Sequence, residues 1–464
     1  MTELHWLSAT DIADRFAKRT LSPLELADAL LARIAKLDPQ LNAFIRLDPD
    51  QVRADARTAE REITSGQRRS SLHGIPVGIK DIIDVRGVPT TCHSKILVDN
   101  VAKADAAAVA RLRAAGAIIL GKLSTHEFAF GGPSFDLPFP PARNPWNRAH
   151  HPGGSSSGSG AALAAGFFPL ALGTDTAGSI RNPASCCGIV GLKPTYGRVS
   201  RRGAFPLAFT LDHVGPMART VADTALLLDA ISGHDAGDPG SRAFAAGASG
   251  ALNQDVHGLR IGFVRHFHET DMPADPEVGK AVETVAVTLA KEGAVVSTVV
   301  LPNLKELAAI NRTILHGEAW SIHARWLRER PGDYARSTRR RLFTGAFLGA
   351  GDYVDAQRRR LQVIAAFEAA FRDVDVLLTA SSMDPPCRID DAEAVARTYP
   401  RQARTPFNVT GHPALAMMCG LSASGLPLSV QFAGRFGDDA TVLRVAAAYE
   451  RAAGWNERHP ALAS

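Results

Sequence analysis

The sequence predicts an α/β fold, helices layered over a central mixed β-sheet, and three observations carry that reading. Short runs rich in leucine or β-branched residues ("IPVGIK", "AIILG", "PLALGTD", "LRIGFV", "AVVSTVVL", "DVLLTA" and "LPLSVQFAG") are each bounded by Gly, Pro or Asp. Several are separated by helical patterns, the alternation that lays helices over a sheet. The chain has 464 residues, 45% hydrophobic and 21% charged, enough to bury a large core, and it shows no internal repeat.

The first element is a helix. In "LSPLELADALLARIAKLDP", Ser22 stands as N-cap, Pro23 at the first helical position and Glu25 three residues after the cap, a capping box. Leu26, Leu30, Ile34 and Leu37 then form one apolar stripe. Farther along, Gly233 to Gly258 reads as an exposed connection, and the charged, helical stretch after it, to about Phe347, as an insertion or peripheral lobe.

Composition excludes several classes. No apolar run approaches the roughly 20 residues of a membrane helix, and "MTELHWLSATDIADRFAKRT" alternates charged and apolar residues, unlike a secretory leader; a soluble, cytoplasmic protein is expected. Five cysteines without a C-x-x-C pair predict reduced thiols. A net charge of +5 is small for this length, and the two "RRR" runs read as solvated helix faces, so no nucleic-acid surface is expected. "HEF" at His126 lacks the second histidine of H-E-x-x-H, "HFH" at His266 to His268 is isolated, and no metal or cofactor is expected.

The stretch "HPGGSSSGSG", His151 to Gly160, invites three readings that fail. A phosphate loop needs a lysine after its last glycine, and here Ala161 follows Gly160. A dinucleotide fingerprint breaks at its third glycine, where Leu163 stands. Gly154 to Gly158 does fit G-x-S-x-G around Ser156, but that elbow must follow a buried strand, and the residues before it are polar and proline-rich. Downstream, "GTDTAGSIRNPASCCGIVGLKPTYG" places Ser179 behind small residues whose N–H groups can approach a developing oxyanion, which makes Ser179 the candidate nucleophile. Its base is less obvious, because His150, His151 and His213 lack a partner carboxylate pattern. Lys80, ending the apolar run "GIPVGIK", suits a lysine kept neutral by burial.

Together these three segments resemble the amidase signature family, strongly from about Gly74 to Asp223 and again in "TPFNVTGHPALAMMCGLSASGLPLSVQFAG", weakly between about Gly240 and Leu361. The segment "SRRGAFPLAFTLDHVGPMART" is closest in look to the branch of biuret-type amidohydrolases and the A subunit of glutamyl-tRNA amidotransferase. The resemblance implies one layered α/β/α domain over residues 1–464, with a signature core at about 70–225 and a variable, peripheral helical region at about 235–350. It implies a Ser-Ser-Lys triad of Lys80, Ser155 and Ser179, with a cis peptide before Ser155. It assigns oxyanion donors to the N–H groups of Thr176, Ala177, Gly178 and Ser179, and a bracing role to Asp175 and Arg181. Ser157 and Ala177 replace family glycines; Cys92 and His93, with Phe135, depart further and are expected to line the substrate pocket.

The implied function is an amidohydrolase cleaving the C–N bond of a small or aryl amide, carbamate or urea-like compound. The alternative is the glutaminase subunit of a tRNA-dependent amidotransferase, which would need a partner chain and is the one case in which nucleic acid enters. No membrane partner is expected, and a homodimer is left open.

Overall fold

In the computed structural model, which describes residues 3–462, eleven strands share one sheet. In chain order they are β1 (Phe44–Leu47), β2 (Pro76–Lys80), β3 (Ile118–Leu123), β4 (Leu170–Asp175), β5 (Val190–Lys193), β6 (His213–Ala218), β7 (Arg260–Phe263), β8 (Val295–Thr298), β9 (Val376–Ala380), β10 (Ala414–Leu421) and β11 (Pro427–Gly434). Their spatial order is β1-β3-β2-β4-β6-β5-β10-β11-β9-β7-β8. The sheet is mixed. β2 runs parallel to β3 and β4, and β7 parallel to β8 and β9. The remaining pairs are antiparallel. Met1 and Thr2, where the reading of the N-terminal segment begins, lie outside the described residues. Among the described residues no helix is long and apolar enough to cross a membrane.

All seven runs read as strands are strands. The four others escaped notice for local reasons. β6 contains Gly215 and Pro216, which argue against a strand, but Pro216 lies beyond the pairing with β5, which covers Val190↔Ala218 and Gly191↔Met217. β10, "ALAMMCGL", has little β-branched content; burial between β5 and β11 makes it a strand.

The helix over Pro23–Leu41 starts where expected, the Glu25 N–H donating to Ser22 Oγ at 3.1 Å. It also runs past Pro39, whose missing N–H and ring crowding weaken only the final turn, and it ends at Asn42 in the left-handed region (φ 52°). Leu26, Leu30, Ile34 and Leu37 are all buried.

The expectation of a peripheral helical lobe at about 235–350 is corrected. This stretch supplies β7 and β8 to the sheet edge, and its long helix, Leu304–Glu329, buries Leu307, Asn311, Ile314 and Leu315. Gly233–Gly258 is irregular, apart from a short 3-10 turn at Ala248–Ala251. Parallel β2 and β4 place Lys80 and Asp175 at the same edge, the C-terminal ends where open α/β sheets carry their chemistry.

Candidate active site

Lys80 is the last residue of β2, wholly buried, with Nζ 2.7 Å from Ser155 Oγ and 2.7 Å from Thr174 Oγ1. Burial pushes its pKa down to about 7, against the pull of Asp175 and Asp212, so much of it is neutral near neutral pH. Thr174, one residue from the end of β4, was not foreseen; the parallel register of β2 with β4 delivers it.

The Gly/Ser stretch is a fixed mount. The Gly154–Ser155 peptide is cis. Gly154 N–H donates to Asn182 Oδ1 (2.8 Å), and Gly154 C=O accepts from the Tyr399 hydroxyl (3.2 Å). Ser155 C=O accepts from His126 N–H (3.0 Å) and from Thr125 Oγ1 (2.9 Å). A Cβ at Gly154 would lie 2.1 Å from the His126 ring, so no larger residue fits. The other serines tie the loop down: Ser156 Oγ donates to Thr174 C=O (3.3 Å), Ser157 Oγ to Ser124 C=O (3.4 Å) and Ser159 Oγ to Leu172 C=O (3.1 Å).

Ser179 lies between β4 and the helix Arg181–Cys187 and is 6% exposed, facing a cavity of about 350 Å³. Ser156 N–H donates to Ser179 C=O at 3.2 Å, joining the two serine segments through backbone. Among the described residues no side-chain hydrogen bond links Ser155 to Ser179; such bonds commonly tighten when substrate binds. The Tyr399 hydroxyl lies beside the Ser179 side chain.

Asp175 and Arg181 brace this turn. Arg181 Nε and Nη2 grip Asp175 at 3.0 and 2.9 Å; Nη1 reaches Arg404 C=O and Gln431 Oε1, and Nη2 also reaches Asn408 Oδ1. Burial alone would raise the Asp175 pKa, but the Arg181 guanidinium and the Asn408 amide outweigh it and hold the carboxyl well below the usual range.

The four-donor oxyanion set needs one correction. Gly178 N–H is committed to Asp175 Oδ1 at 2.7 Å, because the carboxylate sits inside the turn, so Thr176, Ala177 and Ser179 remain as candidate donors. Two side chains the sequence reading missed hold this turn, and one of them, Asn311, orients a remaining donor. Asn311 Nδ2 donates to Thr176 C=O (3.2 Å) and Gln402 Nε2 to Ala177 C=O (3.4 Å). Since C=O and N–H of one peptide point oppositely, Asn311 turns the Ala177 N–H away from itself. Lys193 was also missed: burial drives its pKa well down, and Nζ donates to Pro194 C=O (3.0 Å) and His213 Nε2 (3.1 Å), so His213 is held in structure, away from a catalytic role.

The pocket residues expected from the sequence do not line the Ser179 cavity. Cys92 and His93 take left-handed φ (51° and 58°), which turns both side chains into the core. His93 Nε2 donates to Phe139 C=O (3.0 Å), and burial lowers its pKa to about 4. Phe135 is 58% exposed on a loop, packed neither into the core nor into the cavity. The walls come instead from the helix Leu304–Glu329, the helix Arg336–Phe343 and the segment Tyr399–Thr405. Thr176 separates this cavity from a second, of about 310 Å³, bounded by Thr174, Phe205 and Asp212, which Ser179 does not reach.

Around this buried lysine and the two serine turns, the Amidase family model matches residues 25–443. The chain belongs to the amidase family. It is similar to the A subunit of the glutamyl-tRNA(Gln) amidotransferase of Roseiflexus sp. (strain RS-1), 40% identical over 488 residues, covering 100% of this chain and 99% of the relative. One similar solved structure comes from work on an unexpected vestigial protein complex and the evolutionary origins of an s-triazine catabolic enzyme (34% identity, TM-score 0.90, 96% and 98% of the two chains). Another is the native peptide amidase of Stenotrophomonas maltophilia (30% identity, TM-score 0.86, 98% and 99%).

Proposed function

We propose that this protein is an amidohydrolase that cleaves a C–N bond of a small amide, carbamate or urea-like compound through an acyl-enzyme on Ser179. The observation that carries the reading is Lys80: an amine buried without a carboxylate at hydrogen-bond distance, with a pKa lowered to about 7, 2.7 Å from a serine hydroxyl. In its neutral form Nζ accepts the Ser155 proton while Ser155 Oγ takes the proton of Ser179. Ser179 Oγ bonds to the carbonyl carbon, and the oxyanion is met by N–H groups at Thr176, Ala177 and Ser179. The C–N bond then breaks as the proton returns through Ser155 to the leaving nitrogen. Water adds its hydroxyl to the acyl carbon and its proton to Ser179 Oγ, which releases the acid.

A second reading is favoured by the curated relative above, the A-type component of an amidotransferase, at 40% identity over the full length. On that reading the same site is a glutaminase that works with a partner chain. Both predict an activated Ser179. Intact mass after fluorophosphonate treatment should show one adduct on the wild type and none on Ser179→Ala. A folded wild type without adduct would overturn the reading for the isolated chain. Ammonia released from glutamine, with a co-purifying second chain, would decide for the amidotransferase component.

A further inference from the structure

Three cations face the cavity that opens on Ser179: Lys305 and Arg312 on one face of the helix Leu304–Glu329, and Arg341 on the helix Arg336–Phe343. Among the described residues none of the three is in an ion pair, and no aspartate or glutamate lines the cavity. The nearest acidic neighbour in sequence, Glu306, is paired with Arg359 outside the cavity.

Arg341 is the most telling. Its Nη1 donates to Phe130 C=O and Gly131 C=O, both at 3.1 Å, which fixes the guanidinium plane, and its Cζ lies 5.8 Å from the Tyr399 ring centroid. Nε and Nη2, the edge with which an arginine grips a carboxylate, have no protein partner among the described residues. Tyr399 in turn donates to Gly154 C=O, beside Ser155, so the guanidinium lies near a ring that is itself bonded to the serine loop. A cavity walled by unpaired cations and no carboxylate attracts an anion and repels an ammonium.

We propose that the Ser179 cavity binds an amide, carbamoyl or ureido compound that carries a carboxylate away from the bond to be cleaved and bears no ammonium group, with Arg341 holding the carboxylate and Arg312 and Lys305 drawing it in. This rests on Ser179 being the nucleophile. It separates the substrate from a free α-amino acid such as glutamine, whose ammonium would meet only positive charge here.

The test uses the full chain and three phosphonofluoridates of equal length, ending in a methyl group, a carboxylate or an α-amino-acid head, with Ser179 labelling rates read by intact mass. The carboxylate probe should label at least about tenfold faster than the methyl probe, the scale of a charge-assisted bond, and faster than the amino-acid probe. Arg341→Met should collapse the carboxylate-to-methyl ratio towards one, Arg341→Lys should restore part of it, and Arg312→Gln, at an exposed position, should lower it about threefold and flatten its salt dependence. Equal carboxylate and methyl rates would overturn the proposal while leaving Ser179 as nucleophile. Fastest labelling by the amino-acid probe would overturn it in favour of a glutamine-like substrate. No labelling of the folded wild type by any probe would overturn the nucleophile assignment itself, and the proposal with it.

Discussion

Arg181 and Arg341 both serve the candidate site, yet they are used in opposite ways. Arg181, at the strand ends, commits all five of its N–H groups to Asp175, Asn408, Gln431 and the Arg404 carbonyl, and it is fully buried. Arg341, on the helical wall, uses only Nη1 and keeps its other edge open. The strand-end half of the site is a closed polar network, whose worth is rigidity. The helical half keeps charge unpaired, which is unfavourable for folding alone and becomes useful when a ligand arrives. Chemistry and selection are thereby separated: one region holds the reacting groups, and another offers the charge that chooses the substrate.

The largest effect expected is at Lys80. Lys80→Met should slow Ser179 labelling, and any amide hydrolysis, by roughly 10³–10⁴-fold, since it removes the base of the relay. In the wild type the active form is the unprotonated amine, so the rate should climb about tenfold per pH unit below about 7 and level off above it. Stability moves in a linked way. The folded pKa lies below the unfolded value of 10.5, so between about 7 and 10.5 the unfolded chain binds more protons, and stability rises with pH through that window. Lys80→Met removes this dependence, and it should raise the melting temperature more at pH 6 than at pH 10. A stability gain independent of pH would contradict a depressed Lys80.

Next in size is the closed network itself. Asp175→Asn strands the Arg181 charge in the core, which should cost about 3–5 kcal/mol in urea unfolding. Arg341→Met, on the open wall, should stay within about 1.5 kcal/mol, the scale of its carbonyl hydrogen bonds. Equal losses would erase the distinction between the two regions.

The two regions also differ in how legible they are in the sequence. Lys80 ends the apolar strand β2, and Ser155 and Ser179 sit in glycine-rich turns where backbone geometry leaves few choices: Gly154 admits no side chain against His126, and Gly178, at φ 112°, admits none against Arg404. Such turns leave a local signature. The wall leaves none, because Asn311 reaches Thr176 across 135 residues and a lone asparagine on an amphipathic helix reads as a solvent residue. The strands follow the same logic: β-branched or leucine-rich runs announced β2, β4 and β9, whereas β6 and β10 are strands only because their neighbours bury them. Cys92 and His93 misled because composition does not report that a left-handed turn aims both side chains inward.

Asn311→Leu tests a smaller coupling between the halves. With the Thr176 carbonyl released, the Ala177 N–H loses its fixed direction, and the labelling rate should fall about tenfold, less than the 10²–10³ typical of deleting a donor outright. The loss should fall on the maximal rate, with little change in probe affinity, and Asn311→Gln should recover part of it. A loss confined to affinity would make Asn311 a simple wall residue.

The smallest effect is expected at Phe135, where sequence and structure disagree most directly. If departures from the family pattern mark the substrate pocket, Phe135→Ala should change which probe is preferred. Phe135 is instead 58% exposed and outside the Ser179 cavity, so truncating it should shift stability by no more than about 0.5 kcal/mol and leave the carboxylate-to-methyl labelling ratio within twofold. The comparison with Arg312→Gln is the informative one, because both substitutions are at exposed positions and only one removes charge from the cavity rim. A change in the ratio at Phe135 that matches the change at Arg312 would mean that the loop reaches the substrate and that selection is not confined to the helical wall.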